Sequence, residues 1–247
     1  MTEHAAVFDG LDDNVEIADH PDYSIATTGG LTVVALIRPD SLEMPSQERT
    51  GYVHWLGKGV PGQDEWTFRM YQLGNTEGRE NRISCYGFNL DARAGGTRFG
   101  IGSHFQDELT PGQWLLVAGA WDAILVSIYR DGVLRDSDLL DQSATGGVRI
   151  TPEYGEAPIR IGTRDFNSFF QGAISRVAIF NRKLADSQQA ALQAARAAPS
   201  TARSATPPDW SGSGGSARRR EIADDDPILT MNLALTAVQT SVCAGRP

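Results

Sequence analysis

Apolar positions in this chain fall in short runs separated by turn formers. Residues 31–37, Leu-Thr-Val-Val-Ala-Leu-Ile, are rich in β-branched side chains and close on Arg38-Pro39-Asp40. Similar runs occupy 52–56, 66–73, 83–90, 114–121, 124–129, 133–134, 159–161 and 173–180. Many strand-length runs at this spacing predict an all-β, antiparallel two-sheet sandwich. Several are apolar at both odd and even positions, as expected where two packed layers have covered faces. Asp131-Gly132 divides two of the runs and predicts a type I′ hairpin, whose central residues need φ > 0. Helix-forming composition is confined to residues 185–196, with Asp186 or Ser187 placed to cap and Pro199 placed to terminate.

Beyond that short helix the composition changes. Residues 198–220 are dominated by Pro, Ser, Gly and Ala, the make-up of a flexible linker. Residues 221–247 hold Asp224-Asp225-Asp226 and then an apolar stretch, but the segment is too short to bury a core of its own. The expected organisation is a sandwich over 1–197, a linker over 198–220, and an extended tail over 221–247. That tail is expected to dock on a neighbouring structural subunit or on its own body.

With 31 acidic and 22 basic residues the net charge is −9, which excludes nucleic acid and anionic membranes as obvious partners. No run approaches the roughly 18 apolar residues of a membrane-spanning helix. The opening MTEHAAVFDG has neither a basic segment nor an apolar one, so no export signal is read and synthesis in the cytoplasm is expected. Cys85 and Cys243 are too few to staple a scaffold; two free thiols are expected, with a bridge pinning the tail as the alternative.

Five segments, in order, resemble the laminin-G-like jelly-roll domains of the concanavalin A-like lectin/glucanase superfamily. They are AAVFDGLDDNVEIADHPDYSI from Ala5, LTVVALIRPDSL from Leu31, GQWLLVAGAWDAILVSIYRDGVL from Gly112, APIRIGTRD from Ala157 and FFQGAISRVAIFNRKLADSQ from Phe169. The resemblance implies a concanavalin A-like jelly roll over about 5–197; independently, the burial preference of large aromatics places Trp55, Trp114 and Trp121 in the core. Enzymatic activity is not expected. The glucanase branch needs two carboxylates on one face of a strand, whereas Asp64-Glu65 and Asp107-Glu108 are adjacent and point to opposite faces. His4, His20, His54 and His104 have no metalloprotease spacing.

The resemblance also implies two kinds of site. One is a structural Ca²⁺, for which Asp9, Asp12 and Asp13 are the candidate ligands; the family's acidic position on the last strand is occupied by Ser175, with Arg176 beside it. The other is a sugar site, which needs an exposed aromatic ring and planar polar groups. Its candidates are Arg164, Asp165, Phe166 and Asn167 in one loop, together with Tyr154 and Trp66. Phe169 and Phe170 are expected to be core. The functional expectation is a carbohydrate-binding or adhesion module that meets a glycan or host-surface receptor. Its expected setting is a bacteriophage virion, as a minor tail or surface protein. The alternatives are a purely architectural virion protein that docks through 221–247, or a lectin-like module of a secreted bacterial protein. A homo-oligomer is expected through the sandwich edges.

Overall fold

Two antiparallel sheets of six strands each form the sandwich. The computed structural model describes residues 5–43, 51–60, 63–89 and 100–197. The first sheet runs β1 (Ala6–Asp9), β12 (Gln171–Phe180), β3 (Gly30–Pro39), β8 (Leu115–Asp122), β9 (Leu125–Arg130) and β10 (Val133–Leu139). The second runs β2 (Val15–Ile17), β11 (Ile159–Ile161), β4 (Tyr52–Val60), β5 (Gln63–Tyr71), β6 (Ile83–Phe88) and β7 (Gly100–His104). Consecutive strands such as β1 and β2, or β11 and β12, lie in different sheets. This is the two-sheet sandwich expected from the strand spacing, with the jelly-roll connections that the resemblance implies.

The core follows from strand alternation. Trp66, Phe68 and Met70 of β5 point inward, with Trp55 of β4, Cys85 of β6, and Val117 and Trp121 of β8. The Phe68 and Trp121 rings meet edge to face, with centroids 5.8 Å apart. Trp66 packs on Trp121 at 5.9 Å, and its indole Nε1 donates to the Tyr23 carbonyl at 3.0 Å. Trp55, Trp121 and Phe170 are fully buried and Phe169 nearly so, whereas Trp114 is only partly covered.

The β9–β10 hairpin turns on Asp131 (φ 52°) and Gly132 (φ 76°), the paired positive φ values of a type I′ turn. The Asp131 carboxylate accepts the Leu116 amide at 3.0 Å and ties the turn to β8. The helix α2 spans Asp186–Ala197, so Asp186 and Ser187 lie within its first turn and not at the expected cap position before it. Gln188 Oε1 accepts the Ala185 amide instead, and the Asp186 carboxylate accepts the Tyr129 hydroxyl at 2.8 Å, which fastens the helix to β9.

Three strands lie outside the apolar runs: β1, β2 and β7. The last contains Gly100 and Gly102, and a Cβ there would sit 2.4 Å from the Phe88 ring and 2.7 Å from the Tyr86 ring. The glycines are therefore the floor on which those two aromatic rings lie. Cys85 is buried, with its thiol 3.5 Å from the Ser127 carbonyl. Cys243, the linker and the tail lie outside the described residues, so the expectations placed on them do too. Among the described residues no helix is long and apolar enough to cross a membrane.

Candidate functional site

The β11–β12 connection is built to hold one aromatic ring outward. Ile159 and Ile161 point into the core, so Arg160 between them points out of the second sheet. Gly162 follows with φ 92°; its amide donates to the Trp55 carbonyl at 2.8 Å and its carbonyl accepts the Phe170 amide at 2.8 Å. The first bond ties the loop to β4, and the second pinches the intervening residues into a closed loop. Inside it Thr163 Oγ1 donates to the Ser168 carbonyl and accepts the Phe166 amide, while Asp165 Oδ1 accepts the Asn167 amide. Ser168 Oγ accepts the His54 amide of β4 at 2.9 Å and anchors the loop to the sheet.

At the tip Phe166 adopts φ 63°, a left-handed conformation that bulky L-residues avoid. Its side chain is 45% exposed. The Arg160 guanidinium carbon lies 4.5 Å from the ring centroid, and Phe169 flanks the ring at 6.5 Å. Arg160 is held in turn by Glu16 Oε2 at 2.8 Å and by the Arg164 carbonyl at 2.8 Å.

The loop's other expected ligand groups divide. Asn167 is half-buried beside Phe166. Arg164 and Asp165 do not face solvent: both side chains are 1% exposed. Arg164 lies across Gly57 of β4, donates from Nη2 to Asp165 Oδ2, and stands with Nε 3.5 Å from Asp64 Oδ1. Together the three form a buried strut beneath the loop.

Tyr154 belongs to a different cluster. It is 40% exposed, its hydroxyl donates to Asp19 Oδ2, and Lys58 Nζ lies 5.2 Å from its ring. Lys58 is fully buried and also contacts Glu65 and the Gly155 carbonyl. Burial pushes the Glu65 carboxyl above its usual range despite Lys58. Burial pushes Asp19 up as well, but hydrogen bonds from Lys58 and Tyr154 outweigh it and hold Asp19 low. The Tyr154 hydroxyl, donating to Asp19, is pushed up to about 12. Trp66 requires correction: at 0% exposure, inside the Trp121 cluster, it cannot stack on a sugar arriving from solvent.

The three acidic candidates do come together. Carboxylate oxygens of Asp9, Asp12 and Asp13 lie within 4.8 Å of one another on an exposed turn. Asp9 Oδ1 accepts the Leu11 amide at 2.7 Å, and Asp13 Oδ2 accepts the Asp9 amide at 3.0 Å. Asp9 Oδ2, Asp13 Oδ1 and both oxygens of Asp12 remain outside these bonds, so the donor set suits a hard, oxygen-seeking cation. The residue paired with Asp9 is Gln171, whereas Ser175 falls at a bulge of β12 between Ile174 and Arg176.

A laminin G family model, described as the concanavalin A-like lectin/glucanases superfamily, matches residues 9–188. The chain belongs to that superfamily. Among solved structures, domain 4 of AbnA, an extracellular arabinanase from Geobacillus stearothermophilus seen with arabinotriose, matches with a TM-score of 0.52 and 17% identity over 76% of each chain. A protein from Bacteroides ovatus, provisionally described as carbohydrate binding, matches at 0.51 and 15% identity, over 75% of this chain and 45% of that one. The receptor binding domain of botulinum neurotoxin mosaic serotype C/D matches at 0.53 and 9% identity, over 78% and 45%. At these identities the likeness is one of fold. A comparison with curated proteins finds no match.

Within this concanavalin A-like domain the pattern along the chain missed a set of outward residues on the second sheet. Tyr52 and His54 of β4, Arg69 and Tyr71 of β5, and Tyr86 of β6 share its outer face through the β4–β5–β6 register. They sit inside runs read simply as strands. Their signal was parity, because polar and aromatic residues occupy every second position of those runs.

Proposed function

We propose that this laminin-G-like sandwich is a non-catalytic carbohydrate- or receptor-binding module, with Phe166 as its stacking platform. The observation that carries the reading is the exposed Phe166 ring held at φ 63°. A left-handed non-glycine residue costs about 1–2 kcal/mol, and such strain persists where the surroundings over-determine it, often at a ligand site. Here the loop hydrogen bonds and the Arg160 stack supply that over-determination. A fold relative seen with arabinotriose and another provisionally described as carbohydrate binding support the ligand class. Asp64 and Glu65, the adjacent carboxylates on β5, are engaged with different cations, Arg164 and Lys58, which supports the non-catalytic reading.

A glycan array of bacterial-surface polysaccharides should give a saturable hit. Replacing Phe166 and Asn167 by Ala should weaken that hit at least about tenfold, which is roughly 1.4 kcal/mol. Phe166→Gly should lose binding to the same degree yet match or exceed the parent in melting temperature, because glycine relieves the positive φ. Unchanged affinity in these variants would remove the site from this loop.

We also propose that the Asp9, Asp12 and Asp13 turn holds a structural Ca²⁺. At a hundredfold excess over its dissociation constant the ion would stabilise the fold by about 2.7 kcal/mol, or roughly 5–10 °C in Tm for a domain of this size. EDTA should reverse the rise and Asp12→Asn should blunt it; a Tm indifferent to both would sink the calcium proposal. For the setting we favour a bacteriophage particle surface, with a secreted bacterial lectin-like protein as the alternative. Mass spectrometry of purified particles separates the two.

A second, architectural reading has one specific observation in its favour. The edge strand β10 exposes Val133, Leu134 and Leu139, and Ile124 is exposed in the neighbouring turn. Uncovered apolar edges invite strand addition. If this edge joins copies of the chain, light scattering should report an oligomer that Leu134→Lys and Leu139→Lys dissociate. A monomeric parent chain would end that reading.

A further inference from the structure

The outer face of the second sheet holds a largely covered guanidinium whose described contacts are aromatic rings, a phenol and an imidazole. Arg69 points away from the core because Phe68 and Met70, on either side of it, point in. Its carbon lies 4.4 Å from the Tyr52 ring centroid and 4.2 Å from that of Tyr86. Its Nε donates to His54 Nε2 at 3.0 Å. That bond makes His54 Nε2 an acceptor, so the imidazole is neutral and carries its proton on Nδ1, 3.9 Å from Asp165. Among the described residues no carboxylate lies within ion-pair distance of Arg69. Its other polar neighbour is the Tyr71 phenol.

A second cation backs the first. Arg79 Nη1 donates to the hydroxyls of Tyr71 and Tyr86, and its acidic neighbour Glu77 stands 3.8 Å away at the surface. Two guanidinium groups thus share the same pair of phenols, in a chain whose net charge is −9. Covering a cation without a counter-ion is unfavourable, and an arriving oxyanion would relieve it. A guanidinium offers that anion a planar, bidentate fork.

We propose that Arg69, with Arg79 behind it, forms an oxyanion-binding subsite that takes the acid group of a charged glycan. The glycan part rests on the Phe166 reading; the anion part stands on Arg69 alone. The two positions suit one extended ligand. Arg160, under Phe166, pairs with Gly57, and Arg69 pairs with His54 on the same strand β4. Two strand spacings and three residue steps place Arg69 on the order of 14 Å from Arg160 across one face.

The test begins with inorganic sulfate, titrated against chloride at matched ionic strength while the Tyr52 and Tyr86 ring resonances are followed by NMR. A saturable shift is expected in the parent chain, at least tenfold weaker in Arg69→Gln and several-fold weaker in Arg69→Lys, which keeps the charge and loses the fork. If Arg69→Gln does not fold, the Lys variant decides. No saturable shift in the parent, or an undiminished one in the variants, overturns the subsite. Trigalacturonate and its carboxyl-reduced neutral counterpart then test the glycan. The acidic sugar should bind at least tenfold tighter, and Arg69→Gln should erase the difference while leaving neutral binding intact. Equal binding of both sugars overturns the acidic-glycan assignment and keeps Phe166 as a sugar platform. A sulfate response with no binding of either sugar keeps the anion subsite and removes the sugar reading.

Discussion

Arg164→Ala is expected to destabilise the sandwich by about 3–5 kcal/mol at neutral pH, the range for removing one partner of a buried ion pair. Arg164 is the cation between Asp64 and Asp165, and all three side chains are 1% exposed. Without it two buried carboxylates lose the guanidinium they share. His54 is poorly placed to compensate, because Arg69 already donates to its Nε2. The damage should also reach the binding loop, since the other oxygen of Asp165 accepts the Asn167 amide and shapes the turn that presents Phe166. Urea unfolding gives the stability, and glycan titration of the folded fraction gives the coupling to the site. A loss below about 1 kcal/mol, typical of exposed pairs, would mean that water reaches the strut. Adding Asp165→Asn to the variant should recover part of the loss, because it removes one of the stranded charges.

That strut also marks where reading the chain locally stops working. The Asp131-Gly132 turn was legible because its chemistry is local: two adjacent residues that tolerate positive φ. Strand β3 and the buried Phe169-Phe170 pair were legible because apolar β-branched and aromatic runs have few other uses. Strand β7 was not, because its glycines make sense only beneath the rings of Phe88 and Tyr86 on the neighbouring strand. Trp66 was misread for a related reason. Asp64-Glu65 looks like the polar start of a loop, yet both carboxylates lie within β5, and Trp66 alternates inward after them. Asp64 is accommodated by Arg164, a hundred residues further on, and a local pattern cannot signal such a partner. The same blindness split the candidate loop. Phe166 was read correctly as facing solvent, while Arg164 and Asp165 satisfy buried groups.

Lys58→Met is expected to carry the other large penalty, and its pH dependence should identify the cause. Lys58 has no exposed side-chain surface and serves Asp19, Glu65 and the Gly155 carbonyl at once. Methionine retains the apolar stem and deletes the ammonium, at an expected cost of about 3–5 kcal/mol at pH 7. In the parent chain the two carboxylates pull in opposite directions. Asp19 sits below its ordinary range, so its stabilisation is present at neutral pH and lost on acidification. Glu65 sits above its ordinary range, so the stability linked to it is complete below the unfolded value, about 4.3, and falls as pH rises through the folded value. Removing Lys58 takes away the main group that lowers Asp19 and also drives Glu65 higher. The Glu65 contribution then dominates, and the variant should gain stability between pH 7 and pH 5, with a smaller penalty relative to the parent at the lower value. Lys58→Met with Glu65→Gln should recover part of the loss and flatten the pH profile, because the amide needs no counter-ion. An equal penalty at both pH values would mean that Lys58 supports the Gly155 backbone rather than neutralising Glu65, and the double variant would then recover nothing.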